Sequence, residues 1–218
     1  MESSRRAVKG RLPAPSGRLT HVMQLIPLRY LVDRVRHPKS RAEVLRELRV
    51  ALSAEADWSR ASRQERHLAA ELAALREAMH KGLGEVESCG RCAEGHPLPN
   101  GRWQGGHCCG TETHKLFSPA ELAALKLSGT TPSKLVAPRS DHAGCAFRGP
   151  DGCSLDVADR PNLCVRFICR ELSAELRDRG DHPKLRALSK QIEETFIRFV
   201  AAREARLEDE MLEELTAG

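Results

Sequence analysis

Aromatic residues are scarce in this chain, 4% of 218 positions, and they amount to two Trp, one Tyr and five Phe. A core built without them is filled by Leu, Ala and Val, a palette that suits packed helices better than pleated sheets. Long apolar runs are missing too. No stretch approaches the ~20 apolar residues that span a bilayer as a helix, and the first residues, "MESSRRAVKGRLPAPSGR", lack the apolar centre of a secretory signal. Those absences imply no membrane partner and a cytoplasmic location. Also missing are a Gly-x-Gly-x-x-Gly loop, a His-Glu-x-x-His pair and the Cys-x3-Cys-x2-Cys triplet of radical chemistry. No segment repeats at a fixed period.

Cysteine is absent from both ends of the chain. All eight lie between Cys89 and Cys169, and that contrast suggests four parts. Residues 1–39 form a basic, partly disordered segment. A helical arm follows over 40–84, a cysteine-cluster region over 85–180 and a C-terminal helical arm over 181–218. Charge is as uneven as cysteine. Residues 1–50 hold twelve Lys or Arg against four Asp or Glu, whereas 201–218 hold two against six. A basic head attracts phosphate or acidic surfaces, although the plainer reading is a solvated tail.

The expected fold is mainly α. "SRAE" at Ser40 to Glu43 is a capping box that opens the first arm. Leu68, Leu72, Leu75 and Met79 recur at four, three and four residues as an apolar stripe, and Gly82 and Gly84 end it. Polar "EADWSRASRQER" between these parts reads as a loop separating two helices. In the C-terminal arm Pro183 suits a first helical turn, and Leu185, Leu188, Ile192, Phe196 and Phe199 form the stripe. The two arms flank the cysteine region, so they are expected to pack as an antiparallel pair, with a helical dimer as the competing use of the same stripes. Within the middle, "SPAELAALKLSG" reads as a short helix with Ser118 as cap, Pro119 in the first turn, Glu121 closing a box and Gly129 after the end. Pro161 is expected to start another helix, with Asp159 as its cap, carrying Leu163 to Leu176.

The cysteines are spaced Cys89-x2-Cys92, then Cys108-Cys109, then Cys145-x7-Cys153-x10-Cys164-x4-Cys169. Two thiolates two residues apart at a turn can converge on one ion at ~2.3 Å. Glycines at 90, 105, 106, 110, 144, 149 and 152 let the backbone bend around such a centre. In a reducing cytosol disulfides do not account for this density of thiols. The region also has few large apolar residues, so metal binding, at an apparent ~10–16 kcal/mol for a structural site, would be its main stabiliser. All eight, Cys89, Cys92, Cys108, Cys109, Cys145, Cys153, Cys164 and Cys169, are therefore candidate ligands of zinc or iron, as single ions or as an iron–sulfur cluster. His96, His107, His114 and His142 lie in the same region and could add nitrogen ligands.

The stretch "CAFRGPDGCSLDVADRPNLCVRFIC" supplies a Cys, a Gly-Cys followed by an apolar residue, an Arg-Pro pair, then Cys, Phe and Cys. In this order Cys145, Gly152, Cys153, Leu155, Arg160, Pro161, Cys164, Phe167 and Cys169 resemble the hallmark of the YkgJ-type cysteine-cluster family. Cys89, Cys92, Cys108 and Cys109 resemble its upstream half. The likeness covers the cysteine region and neither arm. It implies chelation of zinc or iron, without an established reaction for most members, while some relatives are protein lysine methylases acting on flagellin. One departure is the fifteen-residue "AEGHPLPNGRWQGGH" ahead of the double Cys, where family members commonly keep only a few residues. Arg160 could donate hydrogen bonds to carbonyls or thiolates beside the cluster.

Two functions compete with plain chelation. A metal- or cluster-dependent enzyme would fit the methylase relatives. A zinc-stabilised nucleic-acid binder would use the basic head, but only Tyr30 precedes Trp58 as an aromatic there, which leaves little for bases to stack on.

Overall fold

The computed structural model describes residues 39–88, 113–138, 145–149 and 152–217. The chain divides into two units, Met1–Arg36 and His37–Gly218, and every described residue belongs to the second. The basic head therefore lies outside the described residues.

That second unit is mainly helical. Helix α1 (Arg41–Ala54) begins as the capping box requires: Ser40 Oγ accepts from the Glu43 backbone and Glu43 Oε2 accepts from the Ser40 backbone at 2.7 Å. The polar stretch after it is irregular over 55–62, as expected, but its last four residues, Arg63 to Arg66, are helical. It ends on a second capping box, Ser62 with Glu65, which starts α2 (Arg63–Leu83). Gly84 closes α2 at φ +56°, a conformation side-chain-bearing residues avoid, with its N–H on the His80 carbonyl.

Short α3 (Thr113–Leu116) leads into α4 (Pro119–Leu127), capped by Ser118 with Pro119 in its first turn. A 3₁₀ turn at Pro132–Lys134 follows. Strands β1 (Arg148–Gly149) and β2 (Gly152–Cys153) pair antiparallel in the register Arg148 to Cys153. After a second 3₁₀ turn (Val157–Asp159) come α5 (Asn162–Arg166), α6 (Arg170–Asp178) and the 36-residue α7 (His182–Ala217).

The helix expected from Leu163 to Leu176 is broken. Phe167 takes an extended ψ of 116°, and α6 restarts behind Cys169. Tertiary partners account for the interruption: Ser189 of α7 donates to the Arg166 carbonyl at the end of α5, and the Cys169 sulfur accepts from Leu172 N at the start of α6. Asp159 does not cap α5. It accepts from the Thr130 hydroxyl at 2.7 Å instead, and Pro161 occupies the cap position.

Two apolar cores result. The first joins Leu68, Leu72 and Met79 of α2 to Leu172 and Leu176 of α6 and Leu185, Ile192 and Phe199 of α7. Each of these residues is 4% exposed or less, and full burial of such a side chain contributes roughly 1.5–3 kcal/mol before entropy is counted. Contacts between α2 and α7 run from Glu65 with Arg206, through Glu71 with Thr195, to Gly82 against Leu185. The second core gathers Leu48 and Leu52 of α1, Phe117, Leu125, Leu135, Phe147 and Leu155. Helix α4 serves both. Ala123, Ala124 and Leu127 face the first core and Leu122 and Leu125 the second, as befits a helix that is apolar nearly all round. Among the described residues no helix is long and apolar enough to cross a membrane.

Candidate metal centre

Four candidate ligands, Cys89, Cys92, Cys108 and Cys109, lie outside the described residues, as do His96, His107 and His142. His114 falls within α3, but its side chain is outside the description. None of the other four, Cys145, Cys153, Cys164 and Cys169, forms a disulfide among the described residues.

Cys145 is the deepest of them, 6% exposed, and sits where the chain turns into β1. Its carbonyl accepts from Arg148 N at 3.1 Å, closing a turn. Thr113 Oγ1 accepts from Ala146 N at 2.9 Å, which fastens that turn to α3. Ser154, just after β2, bonds the Phe147 carbonyl through its N–H at 2.8 Å and the Val136 carbonyl through its hydroxyl at 2.7 Å. The short hairpin is thereby held at both ends, and Phe147 anchors it in the second core beside Phe117, with ring centroids 5.3 Å apart.

Burial pushes the Cys145 thiol up to about 11. The Phe147 backbone N–H works against that, the neighbouring Cys153 thiol adds to it, and the Thr113 hydroxyl and the Arg41 guanidinium again oppose it. Hence the sulfur has an N–H donor two residues ahead, an O–H donor and a nearby cation, together with a second thiol across the hairpin. Burial outweighs these opposing contacts, so the protonated thiol is the favoured form here.

Cys153 in β2 and Cys164 in α5 are half-buried and pack against the same second core as Cys145. Cys169 packs against the first core. Its sulfur takes the Leu172 N–H at 3.4 Å as the cap of α6, and burial raises its thiol above the ordinary value. Among the described residues no group of three or more Cys, His, Asp or Glu converges tightly enough to hold an ion. Cys145 and Cys153 lie on the paired strands of the hairpin and its approach, and both pack against the second core. Arg160 donates its Nε–H to the Leu155 carbonyl at 2.9 Å, tying the loop after β2 to the start of α5.

Beside this region lies a buried polar cluster that the sequence reading missed. Glu121 is not the closing member of a capping box. Its carboxylate turns across to α5, where Oε2 accepts from Asn162 N at 3.0 Å and Asn162 Nδ2 at 2.9 Å. Arg76 of α2, fully buried, donates to Asn162 Oδ1 at 3.3 Å, while its Nε and Nη2 have no hydrogen-bond partner among the described residues. Burial raises Glu121 to about 7, opposed by the Asn162 N–H and then by Arg76. The Arg76 guanidinium is itself lowered by burial and supported by Glu121 and Asp159. Asn162 thus ties α2, α4 and α5 together two residues before Cys164. A signal for Arg76 existed, since it follows Leu72 by four residues and must share its buried face.

No family model, no curated protein and no solved structure matches the chain.

Proposed function

We propose that the protein chelates zinc or iron through its cysteine cluster, with Cys145 and Cys153 as the hairpin half of a thiolate site. The remaining ligands come from Cys89, Cys92, Cys108 and Cys109, with Cys164 in reserve in the same apolar core. Cys169 packs against the first core, apart from the other three described cysteines. What supports the reading most is the environment of the Cys145 sulfur. Cys145 is buried with the Cys153 thiol near it across the hairpin, and both raise its pKa, so two thiols share an apolar site in which a bound cation would be needed to stabilise the thiolate form. A bound zinc or iron ion would offset that burial and the repulsion from Cys153. The long helices α2 and α7 act as an antiparallel scaffold outside the site, and a reducing cytosol keeps the thiols available. The absence of short catalytic motifs and the scarcity of aromatics in the basic head both favour chelation over the enzyme and nucleic-acid readings.

Cobalt(II) titration under anaerobic conditions tests the assignment, because thiolate coordination gives charge-transfer bands that other ligands do not. The Cys145→Ala/Cys153→Ala protein should lose those bands, and Cys169→Ala should keep them. Unchanged bands in the double variant would remove the hairpin from the site.

A further inference from the structure

Helix α7 carries a second apolar stripe that none of the described residues covers. The buried face presents Leu185, Ile192 and Phe199 to the first core. Turned away from it run Ile197, Val200, Glu204, Leu207, Met211 and Leu215, spaced three, four, three, four and four residues apart. Met211 follows Phe199 by twelve residues, which places it about 120° round the helix from the buried face. Val200 is half-buried, while Ile197 is 61% exposed, Leu207 38%, Met211 55% and Leu215 73%. Spacing of this kind is the seam by which one helix receives another.

Charge on the same turns is one-sided. Residues 201–218 hold six acidic residues against two arginines. Both arginines are committed inward: Arg203 pairs with Glu55 at 2.9 Å, and Arg206 pairs with Glu65 at 2.8 Å and Glu210 at 2.9 Å. Glu204 therefore stands within the stripe, and Glu208 and Glu214 beside it, with no cation of α7's last turns to neutralise them. A second copy of this chain is a poor occupant, because pairing stripe with stripe brings rims of like sign together.

We infer that this face of α7 is a docking surface for a helical segment of another protein that is apolar on one side and flanked by Lys or Arg. The apolar side chains supply the binding free energy by leaving water, and the acidic rim selects the partner's charge. The inference is independent of the metal reading.

Fluorescence anisotropy with two short labelled amphipathic peptides, Leu with Lys and Leu with Glu, tests it on the full chain. The Lys peptide should bind, and added salt should weaken it. Met211→Asp should reduce its affinity about tenfold or more, at unchanged helix content. Leu215→Asp serves as the second variant if Met211→Asp perturbs the helix. Glu204→Lys/Glu208→Lys should shift preference to the Glu peptide. Failure of the Lys peptide to bind, equal binding of both peptides, or binding indifferent to both apolar substitutions overturns the inference. So does a light-scattering dimer that Met211→Asp converts to a monomer, because a second copy would then own the face.

Discussion

Glu65 and Arg206 form a pair that does two jobs with one carboxylate. Glu65, 1% exposed, accepts from Arg206 Nε at 2.8 Å and Nη2 at 3.2 Å, and it also takes the Ser62 backbone N–H at 2.7 Å to close the cap of α2. The bonds to Glu65 are the main reason the Arg206 guanidinium is held above its usual value. Removing the arginine leaves a buried carboxylate without its counter-charge. Arg206→Met should therefore lower stability toward the lower end of ~3–5 kcal/mol in urea unfolding, and Arg206→Lys by less. A loss below about 1 kcal/mol would show that water reaches the pair and screens it.

Gly82 and Leu185 predict a change of sign. A Cβ on Gly82 would lie 2.7 Å from Leu185 Cδ2, and Leu185 is fully buried. Alanine in place of a helical glycine otherwise contributes about 1 kcal/mol. Gly82→Ala should thus destabilise the wild-type chain but stabilise one already carrying Leu185→Ala, where the methyl fills space the leucine left. Thermal unfolding of the four proteins in the double-mutant cycle measures this. Stabilisation in both backgrounds would mean that Leu185 moves aside freely.

Glu121 makes stability depend on pH in the direction opposite to an ordinary salt-bridged acid. Its folded value of about 7 lies above the ordinary 4.5, so between those values the folded state holds the proton more often than the unfolded state does. Stability from this group is complete below about pH 4.5 and falls as pH rises towards 7, by on the order of 3 kcal/mol at most. Arg76 and Asp159 face the same cluster. Glu121→Gln, which cannot ionise, should flatten that part of the profile. Parallel profiles for the two proteins would contradict the assignment.

The parts of the fold legible in sequence are those governed by neighbours a few residues apart. The Ser40 and Ser118 caps and the stripes through Leu68, Leu72 and Met79 and through Leu185, Ile192 and Phe199 follow from helical periodicity, and their buried members meet in one core. The Ser62 cap had the same Ser-x-x-Glu signature but sat in a stretch polar enough to read as loop. Glu121 shows the limit. Its local pattern matches a capping box, yet its partner Asn162 lies forty-one residues away and competes successfully for the carboxylate. Asp159 is claimed by Thr130 in the same manner.

For the candidate centre, spacing offered all eight cysteines as ligands but did not say which core each would enter. Cys164 and Cys169 are five residues apart, and a helix break sends them to different cores. Nothing in the spacing announced that break, because it depends on Ser189 reaching back from α7 to the Arg166 carbonyl.

The most direct test of the central claim is the metal content of the full chain purified anaerobically, read by elemental analysis beside a visible spectrum. Chelation predicts one or two equivalents of zinc or iron per chain, lost in large part from the Cys145→Ala/Cys153→Ala protein. A folded wild-type protein that comes through the same preparation free of both metals would contradict it.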